Sequence, residues 1–240
     1  MDARELRELE LLAVTRLYGY ALEGRRSTVE GTEASTATHA PALPSTIHPV
    51  SSMNWGELRA AVASCTACGL CKQRKQAVFG VGAESGPWLF IGEGPGAEED
   101  EQGEPFVGQA GKLLDAMMAA LGIKRGRDAY IANVVKCRPP GNRTPTPEEA
   151  AACAPFLDRQ IELISPKVIV ALGKTAAARL LQTEASLGSL RGRVHRYRGT
   201  PLVVTYHPAY LLRTLPDKAK AWEDLLLARR TLRSIEQGAA

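Results

Sequence analysis

Five cysteines, Cys65, Cys68, Cys71, Cys137 and Cys153, carry the most distinctive chemistry in this 240-residue chain. Cys65 and Cys68 form a C-x2-C turn, which brings two thiolates together and lets backbone amides bond to them. Cys137 and Cys153 stand 16 positions apart, across a Pro-rich loop and the start of a helix. An odd number of clustered cysteines, in a chain with no secretory leader pattern, points to metal ligation rather than a disulfide framework. Four thiolates drawn from two such places suit a [4Fe–4S] cluster. They also suit a four-cysteine zinc site, although zinc ribbons more often supply two C-x2-C knuckles. Buried free thiols stay open as the other reading, most of all for Cys137 and Cys153. Cys71 is spare: it either replaces Cys68 as a ligand or is simply buried.

A second set of candidates is polar and aromatic. Residues 92–100 read GEGPGAEED. A Gly-rich turn after a strand often cradles phosphate, but the run Glu98, Glu99, Asp100 and Glu101 would repel one. Neither GxxxxGK[ST] nor GxGxxG is present. The loop instead lets backbone approach a flat neutral ligand, with Glu93 at the rim, or it is only a tight turn with solvated carboxylates. Phe106, in the loop GEPFVG, is either a stacking platform for a base or a core plug. Asn133 either reads a ligand or caps a turn, and His207 is either functional or a satisfied structural histidine. Basic residues gather in three places: Lys136, Arg138 and Arg143; Arg191, Arg193, His195, Arg196 and Arg198; and Arg213. On one edge of a sheet they would track phosphates; scattered, they are a solvated face.

These residues need elements to hold them. PWLFIGE, AYIANVV, PKVIVALG and PLVVTYHP read as short buried strands. Helices are expected at Trp55 to Val62, 109–122, from the cap Thr146 to about Ile164, over KTAAARLL, and at about 218–236. Thr146-Pro147-Glu148-Glu149 has the signature of a capping box with Pro in the first turn. Strands alternating with helices predict a three-layer α/β/α fold around a central, mostly parallel four-stranded sheet. In such sheets the working residues lie beyond the carboxyl ends of the strands. Those ends carry GEGPGAEED, NVVKCRPPGNRTP, LGKT and YHPAYLLR. Residues 3–22 read as a helix and 25–52 as a Ser/Thr/Pro/Ala-rich linker. The domain reading is therefore a helical extension (1–24), a flexible linker (25–52) and a catalytic domain (53–240).

Composition narrows the class. Hydrophobic residues make up 45% of the chain, which suits a globular protein. The net charge of +4 permits nucleic-acid binding without arguing for it. No apolar run approaches the length of a membrane span. The N-terminus MDARELRELELL is charged throughout and is not a secretory signal, so the expected location is cytoplasmic, with no membrane partner.

Taken in order, GEGPGAEED, GEPFVGQAG, YIANVVKCRPPGNRTP, ALGKTAA and HPAYLLR, together with the cysteines, resemble the family 4 (iron–sulfur) uracil-DNA glycosylases of bacteria and archaea. The resemblance covers about residues 55–235. It implies a DNA-repair enzyme of base excision, a hydrolase that cleaves the N-glycosidic bond of deoxyuridine to release uracil and leave an abasic site. It implies a structural [4Fe–4S] cluster on Cys65, Cys68, Cys137 and Cys153, with no role for Cys71. It places Gly92, Glu93 and Gly94 on the uracil pocket, Phe106 stacked on the flipped base, Asn133 on the uracil edge and His207 near O2. Glu99 lies near the pocket mouth, where it would help exclude a 5-methyl group. Arg138 and Arg213 would grip phosphates, with Tyr210 or Leu211 as the wedge. Glycosylases with a GQDPY motif position water with its Asp; Gly94 stands at that position here, leaving Glu93 as the nearest ionisable group. A cross-linking subgroup carries a Lys/Arg-rich insertion ending in His that this sequence lacks, so covalent trapping of product is not expected. The expected partner is uracil-containing DNA bound by a monomer, with a repair or replication partner reached through the N-terminal extension. The rival readings are an iron–sulfur redox or sensor protein and a non-catalytic DNA-binding module.

Overall fold

The computed structural model describes residues 49–238. The helix expected at 3–22 and most of the expected linker lie outside the described residues. Residues 50–52, assigned to the linker by composition, form a 3-10 turn, and Val50 packs on the core.

The chain then forms α1 (Trp55–Ala63), β1 (Val81–Gly82), β2 (Trp88–Gly92), α2 (Ala97–Gln102), α3 (Gln109–Ala120), β3 (Ala129–Asn133) and α4 (Pro147–Ile164). It continues through β4 (Val168–Leu172), α5 (Lys174–Leu181), α6 (Leu187–Leu190), β5 (Val194–Tyr197), β6 (Thr200–Thr205), α7 (Pro208–Leu211) and α8 (Asp217–Glu236). The strands make one sheet in the order β1-β3-β2-β4-β6-β5. The inner four are parallel, which is the expected four-stranded core. An antiparallel strand closes each edge, so the sheet has six strands. Neither edge strand announces itself by composition. β1 is two residues long, and β5 reads VHRY, half of it exposed.

Every residue of β2, β3 and β4 is buried, as in a parallel sheet covered on both faces. One face packs Leu89, Ile91 and Tyr130 against Leu58 and Val62 of α1, Phe156, Leu157 and Ile161 of α4, and Leu180 of α5. The other packs Phe90, Ile131 and Val203 against Leu113, Leu114 and Met117 of α3 and Trp222 and Leu225 of α8. The α4 cap forms as its sequence predicts. Thr146 accepts from the Glu149 amide (3.3 Å), and Glu149 accepts from the Thr146 amide (2.8 Å). The helix continues through Pro155, where an interior proline usually breaks one. Cys153 is buried before that point, and the rest of its buried face, Phe156, Leu157, Gln160, Ile161 and Ile164, lies beyond it.

This arrangement brings four strand ends to one edge. β2 delivers Glu93 and Gly94, β3 ends on Asn133, β4 leads into Gly173 and α5, and β6 leads into His207 and α7.

Candidate active site

The four strand ends open into a cleft of about 490 Å³ lined by Glu93, Gly94, Phe106, Asn133, Gly173 and His207, among others. Asn133 lies at its floor, 2% exposed, and its side-chain carbonyl oxygen is buried with no hydrogen-bond partner among the described residues. Such an acceptor costs about 1–3 kcal/mol unless something donates to it. A Cβ on Gly92 would stand 2.5 Å from that oxygen and 2.6 Å from Cζ of Phe106. Glycine at 92 therefore lets the amide and the ring close on the same small space. The main-chain carbonyl of Asn133 accepts from Lys136 Nζ (2.9 Å), whose other partner is Gln160 Oε1 (2.6 Å). Burial pulls the Lys136 ammonium down to about 8, the Cys153 sulfur acting against it.

Phe106 is buried, yet its φ of +56° is a left-handed conformation that a bulky side chain rarely adopts. Its ring faces the His207 ring at 5.5 Å between centroids and an angle of 29°. Glu99 holds this loop from behind. It accepts from the amides of Val107 (3.0 Å), Gly108 (3.1 Å) and Gly96 (3.0 Å). Its carboxylate is thus occupied by backbone.

His207 caps α7: its Nδ1 accepts from the Ala209 amide at 3.2 Å. With Nδ1 accepting, the proton of the neutral ring belongs on Nε2, which becomes a donor. Burial lowers the His207 pKa to about 4, and the Arg213 cation pushes the same way against Glu99. The ring is neutral at physiological pH. Across the cleft, Glu93 accepts a hydrogen bond from the hydroxyl of Thr175 in the first turn of α5.

The rim is basic. Lys174 and Arg213 are exposed and line the cleft. Arg143 also lines it but spends its guanidinium on Glu149, with contacts of 2.7 and 2.8 Å. Arg138 donates to Asn142 Oδ1 (2.7 Å), a lining residue. Tyr210 stacks on Tyr206 (5.1 Å) and donates to Asp217 Oδ2 (2.6 Å).

The five cysteines line a separate small cavity together with Arg74 and Lys136. Arg74 donates to Cys137 Sγ (2.8 Å), the Lys136 amide to Cys153 Sγ (3.3 Å) and the Ala67 amide to Cys65 Sγ (3.5 Å). Amide and guanidinium donors to sulfur favour thiolates. Burial opposes them: it pushes the Cys153 thiol up to about 11 and raises that of Cys137 despite Arg74. A bound cation would displace both protons. Among the described residues, no three or more His, Cys, Asp or Glu side chains are gathered as a single-ion site. Zinc would need all its sulfurs about 2.3 Å from one centre. A multi-iron cluster bonds each thiolate to a different iron and accepts wider spacing. The all-sulfur donor set fits a cluster, with Arg74 and two backbone amides already directed at the sulfurs.

Residues 79–226 match the family model of the uracil DNA glycosylase superfamily. The chain belongs to the uracil DNA glycosylase superfamily. It is 51% identical to a type-4 uracil-DNA glycosylase of Thermotoga maritima, over 66% of this chain and 83% of the relative. It is 42% identical to another from Pyrobaculum aerophilum, over 73% of this chain and 93% of the relative. A type-5 uracil-DNA glycosylase of Thermus thermophilus is 31% identical, over 61% of this chain and 84% of the relative.

In this superfamily member, the residues named from sequence for the base pocket, Glu93, Gly94, Glu99, Phe106, Asn133 and His207, all line one cleft, with Gly92 directly behind Asn133 and Phe106. Phe106 is a core residue that also lines the cleft. Leu211 is a correction. It is 1% exposed and packs in the core beneath α7, so it cannot enter a base stack; its neighbour Leu212, at 37%, is the exposed one. The basic segment 191–198 is likewise mostly bound to the protein itself. Arg191 pairs with Asp224 (2.6 Å), and Arg198 with Glu162 (2.8 Å) and Asp158 (3.2 Å). Sequence reasoning missed Thr175 and Arg74, which act on Glu93 and Cys137 from 82 and 63 positions away. LGKT at a strand end was the available signal for Thr175.

Proposed function

We propose that this protein removes uracil from DNA by hydrolysing the N-glycosidic bond, leaving an abasic site. The observation that carries this reading is the orphaned carbonyl of Asn133, buried beside an aromatic ring at the base of a basic-rimmed cleft. It needs a donor, and the N3–H of uracil is one. The Asn133 amide NH₂ would then donate to O4, whereas cytosine presents the reverse pattern and leaves both ends unsatisfied. Phe106 would stack on the extruded base.

As the bond breaks, the sugar gains oxocarbenium character and uracil leaves as an anion. Nε2–H of His207 would donate to O2, where that charge develops, and a neutral donor already in place needs no reorganisation. Glu93, fixed by Thr175, would position the attacking water. Arg138, Arg213 and Lys174 would grip flanking phosphates, while Tyr210 and the exposed Leu212 would fill the vacated stack. A [4Fe–4S] cluster on Cys65, Cys68, Cys137 and Cys153 would supply a covalent cross-link between the segment after α1 and the start of α4. A DNA substrate suits a cytoplasmic enzyme, and one cleft within one chain suits a monomer.

The test is anaerobically purified protein incubated with a labelled oligonucleotide holding one uracil, beside a thymine control, followed by alkali. Strand cleavage at uracil alone is the expected result. No cleavage by a protein with an intact visible chromophore would defeat the reading.

A further inference from the structure

Phe106 can serve a flipped base only while its backbone stays in the left-handed conformation, so what holds it there matters. Part of the answer lies outside the cleft. Arg125, in the turn between α3 and β3, lines no part of the cleft, yet its guanidinium spans the Phe106 loop. Nη1 donates to the Phe106 carbonyl (3.2 Å) and to Asp115 Oδ1 (2.9 Å). Nη2 donates to the Pro105 carbonyl (2.5 Å) and to Glu104 Oε1 (3.0 Å). The loop also lies flush on α3, where any Cβ at Gly111 would collide with the Phe106 carbonyl.

We propose that Arg125 is a positioning residue for base recognition: its planar fork pins two successive carbonyls and so holds the Phe106 ring at the angle from which it stacks on the extrahelical base. The proposal rests on the uracil-releasing reading. Arg125 is not a phosphate contact, because Glu104 and Asp115 already neutralise it. Glu99 fastens the residues after Phe106, while Arg125 fastens Pro105 and Phe106 themselves. Releasing the fork lets the Phe106 backbone relax to negative φ and carry the ring off its site. Lysine has one ammonium and no fork, so it cannot reproduce the arrangement.

The test compares single-turnover uracil release, DNA affinity and melting temperature for wild type, R125A, R125K, F106A and R125A/F106A. R125A should slow release by roughly 100-fold, the scale expected of a 1 Å misplacement, with DNA affinity unchanged. R125K should stay slow. Millimolar guanidinium chloride should restore R125A and leave F106A slow. In the F106A background, R125A should cost nothing further, because the two changes remove one device. A wild-type rate in R125A, an equal loss in both backgrounds, or a loss matched by weakened DNA binding would each overturn the proposal. If R125A does not fold, R125K, which keeps a long cationic side chain but has no fork, carries the same comparison with F106A, and a wild-type rate there overturns it. Wild-type protein that releases no uracil defeats the parent reading instead, before any variant is compared.

Discussion

At the scale of single residues, the cleft is defined by groups whose hydrogen bonding is incomplete or unusually fixed. Asn133 is the first kind: its buried side-chain oxygen has no partner among the described residues. N133A should therefore lower uracil release by roughly 100-fold or more, the scale of one lost transition-state donor. DNA binding measured by anisotropy should hold, since the rim cations are untouched. Equal loss of binding would make Asn133 a structural residue. His207 is the second kind. Its folded pKa of about 4 lies below the ordinary value, so protons favour the unfolded chain. Stability from this group is full above about pH 6.5 and is lost as pH falls toward 4. A histidine NMR titration should show a midpoint near 4 for His207, with the neutral ring protonated on Nε2. A midpoint near 6.5 would remove the neutral-donor role. Polar residues at or just past strand ends singled out Asn133 and His207 in the sequence, and an aromatic between Pro and Gly in a loop singled out Phe106. Leu211 and Leu212 were not separable, because a four-residue helix has no period long enough to say which leucine faces the core.

At the scale of elements, local signals carried most of the fold. The five-residue runs of β2, β3 and β4 and the capped start of α4 all stand where composition and spacing put them. The edge strands did not, because β1 and β5 exist through pairing with β3 and β6 rather than through their own propensity. α4 matters to function because it carries Cys153 in its second turn and Gln160 beneath Lys136. Its reciprocal cap holds the turn next to Cys153, and Glu149 also anchors Arg143 at the cleft rim. T146A should lower unfolding free energy by about 1 kcal/mol, the usual worth of an N-cap hydroxyl, as read by urea denaturation with an unchanged m-value. No change in midpoint would mean that Glu149 alone secures the helix start.

At the scale of the whole molecule, the cysteine cavity and the cleft are separate spaces joined by a few residues. Lys136 touches Cys153 through its amide and the Asn133 carbonyl through its ammonium. On the other side, both oxygens of the buried Asp100 in α2 accept from the Lys75 amide, one residue from Arg74 and its bond to Cys137. That same helix carries Glu99, which holds the Phe106 loop. Asn133 and the Phe106 loop are thus both braced by segments that converge on the cysteines. The family resemblance implied four ligands but not this bracing, which arises only when distant segments meet. Anaerobically purified protein should hold about four irons per chain and absorb in the visible, as a [4Fe–4S] centre does. C153S should lose both, melt at lower temperature and release uracil more slowly. C71S should keep iron and rate, because the family resemblance gives Cys71 no place among the four ligands, although it lines the cavity. Iron retained in C153S would remove Cys153 from the ligand set and make Cys71 the fourth thiolate. Iron lost from C153S with uracil release intact would leave the ligand set standing and show that the cleft holds its shape without the cross-link.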